Sequence, residues 1–310
     1  MRIFSASKAE VEAVDFTMAR PNEPPTAANS GVDNDRIGAI LVARGIVKPE
    51  QAEQIARAQR GTRQRFGEAA VALGFASQEA VDAALASQFN FSIAAPGASR
   101  LHPSLITARG QRDRASEMIR SLRTNISHVL ADWPGATMPA VTIASLTGSV
   151  GRRLIASNLA IASAQAGVRT LLVDADLRKP ALHQLFDVHD GAGLSTFLAG
   201  RQPTPPIQSI AAIPGLSFLP AGPPPPNPAE LLAKLEVLLP VLRAHSRAEL
   251  ILLNAPPLDA AEDLYVIAAS APAVLVITRR HFTRARALTA AASRLQLAGA
   301  TIIGSVLNVA

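Results

Sequence analysis

Cysteine is absent from the 310 residues, which excludes disulfides, thiol catalysis and cysteine-ligated metal. Tyrosine and tryptophan occur once each, too few for a base-stacking surface, so nucleic acid is not expected as a partner. The six histidines are scattered without HExxH or comparable spacing, and no metal site built from side chains is expected. No apolar run reaches the roughly 18 residues that span a bilayer; the most apolar late stretch, Val266 to Ile277, is cut by Pro272. The opening MRIFSASKAEVEAVD lacks the uninterrupted apolar core of a signal peptide, and the expectation is a cytoplasmic protein. Acid is missing from one region: after Asp263 there are five arginines and no Asp or Glu. Arg279, Arg280, Arg284, Arg286 and Arg294 suit phosphates or an acidic membrane surface, and they equally suit a solvated helix face.

What is present is enough for two cores, since 48% of the residues are hydrophobic and the length exceeds one ordinary domain. Residues 1 to 32, with Pro21, Pro24 and Pro25 among Ala, Asn and Ser, read as a disordered leader. A tandem repeat follows in a domain spanning 33 to 92. RIGAILVARGIVKPEQAEQIARAQ (36 to 59) lies over RFGEAAVALGFASQEAVDAALASQ (65 to 88), with a five-residue spacer. Each copy reads Arg, apolar, Gly, a short apolar helix, Gly (Gly45, Gly74), then a longer amphipathic helix ending in Gln, and Pro49 and Ser77 suit the starts of the second helices.

The paired pattern resembles the cyclic-di-GMP-binding N-terminal (MshEN) domain of type II secretion ATPases. That resemblance implies ligand contacts from Arg36, Gly38, Leu41, Gly45 and Gln59 in the first copy and from Arg65, Gly67, Gly74 and Gln88 in the second. Each Arg-x-Gly turn would offer backbone amides and a guanidinium, and a guanidinium can stack on guanine or grip a phosphate with two hydrogen bonds. The same glycines and periodic aliphatics also fit a helical hairpin that only docks on a neighbour. Residues 93 to 112, broken by Pro96, Gly97 and Pro103, read as a linker.

The remaining stretch, 113 to 310, alternates strand-like and helix-like segments, which predicts a parallel sheet covered on both faces. AVTIASL (140 to 146) reads as a strand, TGSVGRRL (147 to 154) as a Gly-bearing loop, and IASNLAIASAQAG (155 to 167) as a helix. That order is the phosphate-binding P-loop context, with Gly148, Ser149, Val150, Gly151, Arg152 and Arg153 as nucleotide-site candidates. RTLLVDADLRKP, PAGPPPPNPAELL, LILLNAPPLDAAED and ATIIGSVLN follow. With SEMIRSLRTNISHVL (116 to 130), these segments resemble the P-loop domain of the bacterial exopolysaccharide tyrosine kinases. The expected fold is thus α/β, a doubly wound P-loop domain preceded by a small all-α repeat domain.

The resemblance also shows what is missing. Arg152 stands where that family has its P-loop Lys, Arg153 where it has the magnesium-ligating Ser or Thr, and Asn254 where it has an acid, while Asp174, Asp176 and Asp263 are retained. No intact catalytic set is expected, and the magnesium site is expected to be impaired, with ATP or ADP binding left open. The family phosphorylates a C-terminal tyrosine cluster, whereas this chain ends in Asn308, Val309, Ala310 and its one tyrosine is Tyr265. Glu117, Arg120 and Arg123 match the family's oligomerisation motif, although a helical i,i+3 salt bridge would explain the first pair. The resemblance implies a pseudokinase regulator of exopolysaccharide or capsule biosynthesis. Its partners would be a membrane chain-length determinant protein, a kinase paralogue or its own copies, and a partner would recruit it to the inner membrane. The competing expectation is an active kinase or ATPase with an atypical P-loop.

Overall fold

The computed structural model describes residues 2–4, 31–62, 64–88, 100–109, 113–134, 140–148, 150–259 and 262–308. The chain divides into two compact units, one from Asp15 to Ser99 and one combining Met1–Val14 with Arg100–Ala310.

Among the described residues the smaller unit holds four helices, α1 (Gly31–Ala43), α2 (Pro49–Thr62), α3 (Phe66–Ala72) and α4 (Gln78–Gln88). The sequence repeat recurs bond for bond. After α1, Gly45 takes φ +68° and donates to Val42 O, while Ile46 and Val47 both donate to Leu41 O. After α3, Gly74 takes φ +70° and donates to Val71 O, while Phe75 and Ala76 both donate to Ala70 O. A left-handed residue that closes a helix in this way is cheapest as glycine, which is why both copies carry one there. Each copy's first helix packs on the other copy's second, α1 on α4 and α3 on α2. The shared core consists of equivalent residues, Ile37 with Phe66, Leu41 with Ala70 and Ile55 with Ala84.

The larger unit is built on one eight-stranded sheet in the order β1 (Arg2–Phe4), β8 (Thr301–Asn308), β7 (Ala273–Arg279), β2 (Val141–Ser145), β6 (Leu250–Asn254), β3 (Thr170–Asp174), β5 (Leu216–Leu219), β4 (Gln208–Ser209). The six inner strands are parallel and the two edge strands antiparallel. Strands β2, β3 and β6 are buried along their whole length, as continuous apolar runs covered on both faces must be. One face packs Val141, Ile143, Leu172 and Leu252 against α5 (Arg114–Ala131) and α6 (Val150–Gln165). The other packs Leu171, Val173, Ile251 and Leu253 against α9 (Pro228–Leu232), α10 (Leu235–Ser246), α11 (Asp263–Ser270) and α12 (Ala285–Leu297). Two short helices, α7 (Leu182–Phe186) and α8 (Leu194–Leu198), complete the unit. The doubly wound arrangement expected from the alternating segments is the one found.

Two boundaries differ from expectation. Arg2–Phe4, within the expected disordered leader, form β1 against β8, and residues 5–30 lie outside the described residues. Residues 100–109, within the expected linker, belong to the P-loop unit. Thr107 donates through its N–H and its hydroxyl to Asn158 Oδ1 at 3.0 and 2.7 Å, and Gln165 donates to Thr107 O at 2.9 Å. Helix α6 thus supplies the partners that an aperiodic buried segment cannot make for itself.

Candidate functional site

The carboxyl ends of β2, β6 and β3 lie side by side and present Ser145, Asn254 and Asp174, with Asp174 opposite Asn254 in register. Helix α6 begins here at Val150, earlier than the sequence pattern suggested, so Arg152 and Arg153 sit in its first turn rather than in a loop. That placement turns Arg152 inward. Its guanidinium is 1% exposed and donates to three groups: Nε to Asn254 Oδ1 at 3.0 Å, one terminal nitrogen to Ser145 Oγ at 3.3 Å, and the other to Asp176 Oδ2 at 2.9 Å. Asn254 passes the network on, because its Nδ2 donates to Asp174 Oδ1 at 2.9 Å. An Asp at 254 could not make that bond, since a carboxylate only accepts. Arg152 and Asn254 therefore fit one another as a pair.

The retained acids are all engaged within the chain. Asp174 also accepts from the N–H groups of Asp176, Ala181 and Leu182. Burial pushes the Asp174 carboxyl up from its ordinary value, and the hydrogen bonds from Asn254, Leu182 and Ala181 offset part of the rise. Asp176 holds Arg152 and stands 3.7 Å from Arg153, whose own terminal nitrogen donates to Lys179 O at 2.9 Å. Asp263 takes a two-pronged contact from Arg178, Nε to Oδ2 at 2.7 Å and a terminal nitrogen to Oδ1 at 3.0 Å. That pairing lifts the Arg178 pKa. Burial lowers the Arg152 pKa, with the Asp176 charge opposing. The loop amide of Gly148 donates to Asp259 Oδ2 at 3.4 Å, so an acid of the chain faces an amide that a phosphate would use.

Of the six nucleotide-site candidates, Gly148 is exposed on the loop, Ser149 lies outside the described residues, and Val150 and Gly151 open α6. Arg152 is withdrawn into the buried network, and Arg153 stays near the surface with a quarter of its side chain exposed, 26%. Sequence reasoning missed Ser145, Arg178 and Asp259. Arg178 and Asp263 are 85 residues apart, and nothing in their spacing announces the pair.

In the helical unit the first expected Arg-x-Gly turn is continuous helix within α1, whereas in the second Arg65 is the extended residue that enters α3 and Gly67 lies in its first turn. Gly38 lies inside α1, buried, where an added Cβ would meet the Phe66 ring at 3.1 Å. Gly67 lies in the first turn of α3, buried, where a Cβ would collide with Val81 Cγ1. Both glycines let helices approach, and the apolar period through Ile37 and Leu41 carries α1 straight across Gly38. Leu41 is fully buried core, and Gly45 and Gly74 close helices, so these expected ligand contacts have structural roles. Arg65 is exposed at the start of α3, Gln59 is half-buried on α2, and of Arg36 and Gln88 only the helical backbone is described.

On α5, capped by Asp113 through a bond from Ser116 N–H, Glu117 and Arg120 form the i,i+3 pair at 2.6 Å. Arg123 donates to Thr124 Oγ1, and among the described residues its buried Nε has no partner. Among the described residues no group of three or more His, Asp or Glu is arranged to hold a metal ion, and no helix is long and apolar enough to cross a membrane.

No family model matches the chain. It is 31% identical over 204 residues to the tyrosine-protein kinase ptk of Acinetobacter johnsonii, covering 66% of this chain and 27% of that protein. It is 30% identical over 213 residues to the tyrosine-protein kinase wzc of Salmonella typhimurium, covering 68% of this chain and 29% of that one. The chain thus spans under a third of the length of these relatives. Among solved structures, the kinase domain of the Escherichia coli tyrosine kinase ETK matches at 29% identity and a TM-score of 0.61, over 72% of this chain and 91% of that domain. The BceF tyrosine kinase domain matches at 28% identity and a TM-score of 0.58, over 75% of this chain and 89% of that domain. Bacterial tyrosine-protein kinases are therefore the homologues of this chain, and their kinase domains share the fold of its P-loop unit.

Proposed function

We propose that the protein is a pseudokinase, a non-catalytic regulator of exopolysaccharide biosynthesis or export whose P-loop unit serves as a binding module. The single observation that carries this reading is the buried Arg152 guanidinium, salt-bridged to Asp176 and hydrogen-bonded to Asn254 and Ser145. Magnesium needs free carboxylate and hydroxyl oxygens. Here Asp176 and Asp263 are each neutralised by an arginine, Asp174 is saturated with donors, and a divalent cation would face the Arg152 charge at short range. The residues present do not fit magnesium. Phosphoryl transfer depends on positioning and charge stabilisation around that ion, so no catalytic step is assigned. Any ATP or ADP held at the loop would rest on backbone amides and Arg153 alone, without the ion.

In this reading the helical unit senses cyclic-di-GMP through Arg36 and Arg65. The module's partner is a membrane chain-length determinant protein, a kinase paralogue or another copy of the chain, engaged through Glu117, Arg120 and Arg123. The experiment is an assay of magnesium-dependent ATP hydrolysis and tyrosine phosphorylation by the purified chain. Background rates are expected, and turnover abolished by Asp174→Ala would overturn the reading.

A further inference from the structure

The connection from β7 to α12 is a closed, projecting turn. Thr283 N–H donates to Arg279 O at 2.9 Å, Phe282 N–H to the same oxygen at 3.2 Å, and Arg279 N–H to Thr283 Oγ1 at 2.9 Å. At its apex His281 holds φ +65°, a left-handed conformation that a non-glycine residue adopts rarely and at a cost. The result is that Phe282 stands 61% exposed, its inner face against the Arg279 guanidinium at 4.1 Å. Beyond that stacking on Arg279, most of the ring is left in water.

The arginines of this region divide into two kinds. Arg294 is used internally, bonded to Glu262 at 2.7 Å and stacked over Tyr265 at 4.4 Å. Arg280, Arg284 and Arg286 lie within four residues of Phe282 in the sequence and are exposed, and among the described residues none of the three is paired with a carboxylate. Cations at the start of α12 also oppose the helix dipole, so the fold does not explain them.

We propose that this tip docks directly on an anionic lipid surface, with Phe282 entering the headgroup region and Arg280, Arg284 and Arg286 meeting lipid phosphates. One exposed aromatic with three exposed arginines within four residues of it along the chain is the pattern of an interfacial anchor, apolar at the point and cationic beside it. A single-stranded nucleic acid would call for several stacking rings, and the tip offers one. The inference goes beyond the regulatory reading and does not depend on the state of the phosphate site.

The test is co-sedimentation of the full chain with phosphatidylcholine vesicles, with and without phosphatidylglycerol. Wild type should partition onto the phosphatidylglycerol vesicles at about 0.1 M salt, release as salt rises, and ignore neutral ones. An arginine near an anionic surface is worth about fivefold in partitioning, so Arg280→Gln with Arg284→Gln and Arg286→Gln should lose about a hundredfold. Phe282→Ala should lose roughly tenfold while keeping the salt dependence. Arg57→Gln, an exposed arginine of the helical unit, should change little. All these side chains are exposed, and circular dichroism confirms that each variant is folded. Equal binding to neutral vesicles, no binding, an unaffected triple variant, or preference of the same arginines for DNA or an acidic peptide would overturn the proposal.

Discussion

Replacing Arg152 by Met tests the buried network through stability rather than activity. The substitution keeps an apolar stem of similar length and removes a charge that is 1% exposed. Asp176 then loses its 2.9 Å partner and keeps Arg153, 3.7 Å away and part-exposed, while Asn254 Oδ1 and Ser145 Oγ lose a donor. Removing one partner of a buried ion pair costs about 3 to 5 kcal/mol, because the other charge is stranded. In a domain of about 200 residues each kcal/mol lowers the Tm by roughly 2 to 4 °C, so the P-loop unit should melt about 10 °C earlier in a calorimetric scan. Arg153→Met, removing the looser partner of the same Asp176, should cost about 1 kcal/mol or less. Adding Asp176→Asn to Arg152→Met should recover much of the loss, since an amide strands no charge. If Arg152→Met melts no earlier than Arg153→Met, Arg152 is not the buried centre of this site.

Asn254→Asp should destabilise by about 1 to 3 kcal/mol in urea unfolding, because it removes the donor to Asp174 and sets two carboxylates face to face. In the helical unit, Gly67→Ala should cost about 1 to 3 kcal/mol through the collision with Val81, whereas Gly61→Ala, in α2 with nothing within 4 Å, should stabilise by about 0.5 to 1 kcal/mol. For Asp174, burial holds the folded pKa above the ordinary 3.8, so the folded chain keeps that proton longer than the unfolded one as pH rises. Its contribution to stability therefore falls as pH climbs from 3.8 through the folded value, and urea midpoints of Asp174→Asn against pH should lack that slope. Cyclic-di-GMP, if sensed by the helical unit, should bind Arg65→Ala about tenfold or more weakly in a titration of the full chain; unchanged affinity would leave Arg65 without that role.

The order of strands, helices and P-loop was legible because buried parallel strands are short apolar runs bounded by turns, and AVTIASL and LILLN are such runs. The tandem repeat was legible down to its closing glycines, since a left-handed residue leaves a mark in the sequence. The direction of the Arg152 side chain was not. The letters R-R read alike whether a guanidinium faces a phosphate or fills the place of one, and the answer depends on Asp176 and Asn254, which are brought alongside only by the sheet register. The first Arg-x-Gly segment is helix rather than turn because glycine marks both a turn and a close helix crossing, and Phe66 packing on Gly38 is a contact between copies that no local pattern encodes. Residues 100–109 were misread as linker because the partners of Thr107 lie on α6, more than 50 residues away.

Calorimetric titration of the purified chain with ATP, run with and without magnesium, reads out whether the buried Arg152 excludes the ion. With Arg152 occupying the ion's surroundings, the account predicts no magnesium-dependent heat, and an ATP affinity, weak or absent, that is the same in both titrations. ATP binding that tightens tenfold or more on adding magnesium, and loses that gain in Asp174→Ala, would contradict it.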